Sequence, residues 1–568
     1  MAMHRFSRLW PLILLMFTAT TLGTGCKGCQ KNDESATESQ AADPWQSTLD
    51  LLADHVPADA TNAIFVVDFT TALASYPGFR ARVSTYVKDY ATIEADLRNT
   101  LGVDPAHPSN LAQLGIEPTG GAVCAKLQGQ PVCGVTLSDH AKFQEHATSV
   151  LQGQPFNLRA PIVQTNLPSG GTLLRFASEE NSPTKAAIVL TDKLGYVILR
   201  PHADTIESLA ASLETPHATP LRTRPAFQKL LEHTERSAIL GWLGPDAIND
   251  LGGQLFDTDM SRFLPTKNVS QGAVLGIKLY ADAIQGWFSV LIDEKNDKIH
   301  TLLARPAGNQ AADFSKLIDD ESYAFLRVHV DADEVRQTLR DTFKSEDIED
   351  TEKRIEDALG TDQLEQELMN ALGSDMIVMA TRARLLTLAG LARGGEVNAR
   401  ALGDGLGMIL VYQLKDAKAM RSLLNTISTD RADVLSHTQN EEEEFWQIEK
   451  GPASGTLLLL TDDAIIATTA RQKKDVLARV AADDIPELKE IDAEEARELR
   501  EAVDALGLFV DLKRVANNSL GRIASNNLSD TMRNAIQVFD EFWARGELVE
   551  DQWFDGRYRI QLSTPNRR

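Results

Sequence analysis

The sequence predicts an α+β fold made of two tandem copies of a mainly antiparallel sheet-plus-helices unit. Segments of near-alternating polarity, such as VTLSD and RYRIQLS, are typical of strands with one covered face. Segments with apolar residues at helical spacing follow some of these strands, as with Met420, Leu423, Leu424 and Ile427. Similar segments recur in the same order in the second half of the chain, which indicates a duplicated unit.

The chain divides into four predicted regions. A length of 568 residues and a hydrophobic content of 43% are enough for more than one domain with a buried core. The regions are a signal peptide (1–25), a lipid-anchored flexible tether (26–50), a first α+β repeat (51–310) and a second α+β repeat (311–568).

The N-terminus is similar to the signal peptide of bacterial lipoproteins. Arg5 and Arg8 give a positively charged start, residues 9–22 are apolar apart from their threonines, and small residues precede Cys26. The apolar run is too short to span a bilayer. The resemblance implies cleavage before Cys26 and lipid attachment to it; an ordinary secretory signal cleaved nearby is the alternative.

The residues after Cys26 are predicted to act as a tether. Residues 27–44 contain no aliphatic residue larger than alanine, so burial cannot offset the entropy of ordering them. A flexible chain of this length has an end-to-end distance of roughly 23 Å. Lys27 is not the aspartate of an inner-membrane retention signal, so the resemblance favours the outer membrane, facing the periplasm or the exterior.

The charge balance predicts that the protein has no nucleic-acid partner. The chain has 57 basic and 81 acidic residues and a net charge of −24 at pH 7. Such a charge repels phosphate backbones and anionic surfaces. No apolar run after residue 25 reaches the length of a membrane-spanning helix, so the membrane is expected as a partner only through the N-terminal lipid.

Two cysteines flank a predicted hairpin turn. In VCAKLQGQPVCGVTL, two extended runs surround Gln128-Gly129. Counting outward from the turn places Cys124 opposite Cys133 at a non-hydrogen-bonded site, and Pro131 where no amide hydrogen is required. We therefore predict a Cys124–Cys133 disulfide; two buried thiols are the alternative.

Five pairs of similar segments support the duplication. They are 63–73 and 324–335, 134–151 and 410–427, 186–199 and 456–469, 225–248 and 495–515, and 286–292 and 556–562. Joining two sheets in one chain creates a groove that neither copy has alone. We expect that inter-repeat groove to bind a protein or a hydrophobic ligand.

Aspartates that precede the predicted helices are interpreted as N-caps rather than as ligands. Their short side chains accept hydrogen bonds from the first free amides of a helix. They are Asp68, Asp139, Asp331, Asp416 and Asp511.

Several segments resemble a bacterial envelope-protein family of unknown function. They are VPADATNAIFVVDF (56–69), LGVD (101–104), LAQLGIEP (111–118) and LKDAK (414–418). The resemblance implies a secreted or anchored protein of two repeats, and it transfers no catalytic residue.

The search for catalytic motifs identifies no catalytic, metal-binding or cofactor-binding residue. His140 and His146 are six residues apart and are expected on the surface of a helix. GPASG (451–455) and GDGLG (403–407) lack the spacing of a nucleophile elbow or of a phosphate-binding loop. DTDM (257–260) and DADE (331–334) do not continue as calcium-binding loops.

The sequence therefore predicts a lipid-anchored cell-envelope protein that is not an enzyme and that has a binding, structural or assembly role. The alternative is a hydrolase or isomerase whose site is too scattered to recognise; clustered Asp, His or Ser side chains of perturbed pKa would favour it. A chaperone or assembly factor would instead expose a large apolar patch.

Overall fold

The computed structural model describes part of the chain. The described residues are 43–248 (apart from 75, 87–89, 105, 154–157, 159, 177–184 and 200–205), 270–293, 317, 322–329, 364–381, 407–440, 443–450, 453–470, 472–480, 506–511, 539–549 and 552–563. Cys26, the signal peptide, Asp331, DTDM and DADE lie outside them.

The predicted fold class is wrong. The described strands belong to one antiparallel sheet of 20 strands. Strands make up 44% of the structure and helices 33%. The chain is therefore sheet-dominant rather than two tandem α+β units. The physical reason is that strands pair through backbone groups, which every residue carries. Local polarity patterns identify single strands but do not specify which of them become neighbours.

The described residues fall into two compact units. Unit 1 takes those within Met1–Leu251, Ser270–Leu291 and Gln561–Arg568, and unit 2 takes those within Gly252–Val269 and Ile292–Ile560. The predicted boundary between residues 310 and 311 lies outside the described residues. The repeat ranges 51–310 and 311–568 stay a prediction.

The described helices are short, and most of them belong to unit 1. They are α1 (Pro44–Asp54), α2 (Phe69–Leu73), α3 (Tyr76–Tyr86), α4 (Tyr90–Leu101), α5 (Pro108–Leu111), α6 (His140–Gln152), α7 (Ile206–Glu214), α8 (Pro225–His233), α9 (Leu364–Ala371), α10 (Ala417–Asp430) and α11 (Lys473–Val480). Short 3₁₀ turns occupy Ala112–Leu114 and Leu221–Thr223.

The strands of unit 1 follow the order β4-β5-β6-β7-β3-β2-β1-β8-β9-β10. They are β1 (Asn62–Val66), β2 (Ala122–Leu127), β3 (Gln130–Thr136), β4 (Ile162–Asn166), β5 (Thr172–Phe176), β6 (Ala186–Leu190), β7 (Leu194–Leu199), β8 (Ile239–Leu243), β9 (Ser270–Leu279) and β10 (Ala283–Ile292).

The strands of unit 2 follow the order β14-β15-β16-β17-β13-β12-β11-β18-β19-β20. They are β11 (Ser322–His329), β12 (Leu372–Thr381), β13 (Met408–Leu414), β14 (Leu435–Gln439), β15 (Glu444–Ile448), β16 (Thr456–Leu460), β17 (Ala464–Thr469), β18 (Leu506–Asp511), β19 (Phe539–Val549) and β20 (Trp553–Leu562).

The inner strands of unit 1 are covered on both faces. Every residue of β6 is buried. On the neighbouring β7, a Cβ at Gly195 would lie 2.4 Å from Phe143 of α6, so α6 covers that face. Successive residues of a strand point to opposite faces, so the fully buried Tyr196 lies on the other face of the same strand.

Unit 2 has a buried ion pair beside its apolar core. Arg327 on β11 and Asp375 on β12 are joined by a bond of 2.9 Å from Nη2 to Oδ2, and their side chains are 0% and 3% exposed. Breaking such a pair at one end leaves an uncompensated buried charge. Elsewhere in the unit, α10 buries the predicted stripe Met420, Leu423, Leu424 and Ile427 against Trp446.

Three of the predicted N-caps are confirmed. Asp68 precedes α2, Asp139 precedes α6 and Asp416 precedes α10, and each side chain accepts a hydrogen bond from an amide of the first turn. Asp511 is the last residue of β18, and the residues after it lie outside the described part.

Part of the predicted tether is folded. Residues 44–50, placed in the tether by the sequence analysis, belong to α1, whose Leu49, Leu52 and Ala53 are buried. Asp43 caps this helix, and Pro44 occupies its first turn, where a missing amide hydrogen costs nothing. Leu49, Leu51 and Leu52 supply the apolar face that a tether lacks.

The predicted hairpin and its disulfide are present. Strands β2 and β3 pair with Cys124 opposite Cys133 and Lys126 opposite Pro131. Gln128 and Gly129 both have positive φ, as a two-residue hairpin turn requires. A disulfide joins Cys124 to Cys133, whose Cα atoms are 4.1 Å apart.

Removing the disulfide is expected to lower the free energy of unfolding. A double variant Cys124→Ala, Cys133→Ala should lose roughly 2–3 kcal/mol, because the bond restricts the unfolded chain. Urea denaturation of the variant and of the wild type measures the difference. The wild type in reducing agent is the control and should match the variant; equal stability of oxidised and reduced wild type would contradict the expectation.

Candidate functional site

The most unusual group of polar side chains among the described residues of unit 1 lies where α1, α7 and β7 come together. It consists of His55, Tyr196 and His217, and we call it the His–Tyr cluster. His55 directly follows α1 as its C-cap residue. His217 follows α7, and its amide donates to the carbonyl of Asp54 at 2.9 Å.

Two short chain segments hold the cluster in place. The residues after α1 run beside those after α7, with hydrogen bonds from the Ala58 amide to the Thr219 carbonyl (2.9 Å) and from the Leu221 amide to the Val56 carbonyl (2.7 Å). Pro57 and Pro220 form a bridge between them. Since the two prolines have fixed φ angles, this connection is stiff.

His55 is bound to the end of α7. Its Nδ1 lies 3.1 Å from the carbonyl oxygen of Leu213, in the last turn of that helix. A carbonyl only accepts, so Nδ1 carries the proton and Nε2 of the neutral ring is an acceptor. The hydrogen bond satisfies one of the carbonyls that a helix end leaves unpaired.

Tyr196 contributes a buried hydroxyl. Its side chain is 1% exposed, and its ring centroid lies 6.2 Å from that of His55. The Tyr196 hydroxyl has no hydrogen-bond partner among the described residues. Gly134 on β3 makes room for the ring, because a Cβ there would lie 2.5 Å from it. An unpaired buried hydroxyl costs about 1–3 kcal/mol.

Burial keeps the His–Tyr cluster neutral. Loss of solvent lowers the pKa of His55, against the opposing effects of the Leu213 carbonyl and Asp54. Loss of solvent also lowers the pKa of His217, against Asp59. Burial alone raises the pKa of Tyr196 well above its ordinary value. The cluster therefore presents one phenol donor and imidazole acceptors at neutral pH.

The cluster has no pair of groups set up for nucleophilic catalysis. An activated nucleophile needs a base within hydrogen-bond distance, and neither the Tyr196 hydroxyl nor Nε2 of His217 has a hydrogen-bond partner in the described part of the chain.

The buried carboxylate of Glu94 in unit 1 contrasts with the Tyr196 hydroxyl, because both of its oxygens have partners. Glu94 on α4 accepts from Arg80 at 2.6 Å, from Arg98 at 3.1 Å and from the Tyr76 hydroxyl at 3.3 Å. Burial raises the pKa of Glu94, while Arg80 opposes that effect. This network links α3 to α4 and has the character of a structural clamp.

The residues of the catalytic search that the structure describes lie on α6, in a turn and next to β13. His140 begins α6, and its Nε2 lies 2.6 Å from the Thr191 carbonyl; His146 lies farther along the same helix. Ser454 of GPASG donates to the Glu449 carbonyl at 2.8 Å in a turn. Of GDGLG, only Gly407 is described, next to β13.

Sequence reasoning missed the His–Tyr cluster. His55 and His217 are separated by 162 positions (217 minus 55), and each stands in a short segment with prolines and alanines and no motif. The one available signal was that each histidine lies within three residues of the end of an apolar helical segment. Their meeting depends on the packing of α1 and α7 on the sheet.

Two further findings concern the described residues as a whole. They contain no group of three or more His, Cys, Asp or Glu side chains placed to hold a metal ion. They also contain no helix with both the length and the apolar character needed to cross a bilayer.

Comparison with known proteins does not assign this chain to a family. No protein-family model matches the sequence, and no curated protein matches it either. Among solved structures, crystal form IV of TP0453 aligns at a TM-score of 0.26 and 11% identity, covering 44% of this chain and 82% of that chain. Crystal form I of TP0453 aligns at a TM-score of 0.25 and 10% identity, covering 46% and 84%. Similarity at this level does not establish a shared fold.

The unpaired hydroxyl of Tyr196 leads to a stability prediction. Tyr196→Phe should leave the free energy of unfolding unchanged or raise it by about 1 kcal/mol, because it removes a buried group without a partner. Tyr76→Phe is the matched control and should lower it by about 1 kcal/mol, because that hydroxyl donates to Glu94. A larger loss from Tyr196→Phe than from Tyr76→Phe would mean that the Tyr196 hydroxyl is bound.

The cluster also predicts a pH dependence of stability. Both histidines have folded-state pKa values below the ordinary 6.5, so the unfolded chain binds more protons below that pH. The contribution of the two neutral histidines to the free energy of unfolding is complete above pH 6.5. It is lost as the pH falls from 6.5 towards their folded-state pKa values. Denaturation series from pH 7.5 to 5.5 should show falling stability.

Replacement of the two histidines provides the control. His55→Asn with His217→Asn should reduce the dependence, since an amide does not titrate in this range. An unchanged dependence in the double variant would contradict the assignment to this cluster.

Proposed function

We propose that this protein is a lipid-anchored cell-envelope protein whose folded units act by binding or assembly rather than by catalysis. The order of charged, apolar and small residues before Cys26 supports export and lipidation. The proposal places the lipid on Cys26 and the folded units outside the cytoplasm, at the outer membrane.

The Cys124–Cys133 disulfide is the observation that carries this proposal. Disulfides form and persist in oxidising compartments such as the periplasm and are rare in the cytosol. The two cysteines lie opposite each other on paired strands, and their side chains are 9% and 7% exposed. A bond built into the hairpin in this way fits a protein that folds after export.

The distance between anchor and fold is consistent with this arrangement. The first described helix starts at Pro44, so residues 27–43 separate it from Cys26. A flexible chain of that length spans roughly 23 Å on average. The folded units would therefore stand off the bilayer, as the repulsion between an acidic protein and anionic lipids also favours.

A role in binding is supported by the chemistry of the described polar groups. The His–Tyr cluster is neutral and has no nucleophile–base pair, and the other buried charged groups named above are paired with one another. A hydrolase or isomerase stays the alternative, and the neighbouring His55 and His217 with their lowered pKa values are the observation in its favour.

The anchor is tested by exchanging single cysteines in the full chain, expressed in a bacterium with an outer membrane. The wild type should incorporate labelled palmitate and sediment with membranes, whereas Cys26→Ser should do neither or should keep its signal peptide. Cys29→Ser is the matched control, three residues away, and should behave as the wild type.

The compartment is tested in the same cells. Alkylation of whole-cell extracts should modify Cys124 and Cys133 only after reduction. Palmitate incorporation by Cys26→Ser, or free Cys124 and Cys133 thiols in the wild type, would contradict the proposal.

A further inference from the structure

We draw no further inference here: the strongest candidate, the His–Tyr cluster where α1, α7 and β7 come together, belongs to the site already described and carries nothing beyond it.

Discussion

The backbone hydrogen bonds between antiparallel strands are the interaction on which the rest of this structure depends. Buried amides and carbonyls must be paired, and the inner strands, such as β6, are buried along their whole length. Pairing on both sides satisfies their backbones, and helices such as α6 cover their faces. Strand β4 differs, because among the described residues it pairs on one side only, with β5, and four of its five residues are exposed.

The sheet also decides which side chains become unusual. Tyr196 is buried because it lies on an inner strand, and Gly134 opposite it leaves space for the ring. His55 is held against it by the end of α7. Burial then lowers the pKa of the histidine and leaves the tyrosine hydroxyl without a hydrogen-bond partner among the described residues. In unit 2, the buried Arg327 and Asp375 form an ion pair, so breaking it at one end would leave an uncompensated buried charge.

The proposed role in the cell envelope connects the disulfide, the net charge and the lipid anchor. The Cys124–Cys133 bond locks the register of the β2–β3 hairpin, and it fits an oxidising compartment. A net charge of −24 makes copies of this chain repel one another. A lipid anchor at Cys26 would hold the folded units at one surface.

The sequence by itself determined the features that depend on neighbouring residues. The hairpin register, the Cys124–Cys133 bond, the caps at Asp68, Asp139 and Asp416 and the apolar stripe of α10 were all predicted correctly, because each is decided within about 15 residues. Only the tertiary structure decided the sheet-dominant fold, the folding of residues 44–50 and the meeting of His55, Tyr196 and His217. Strand order and side-chain burial arise from contacts between distant segments, and local patterns of polarity do not encode which distant segments will meet.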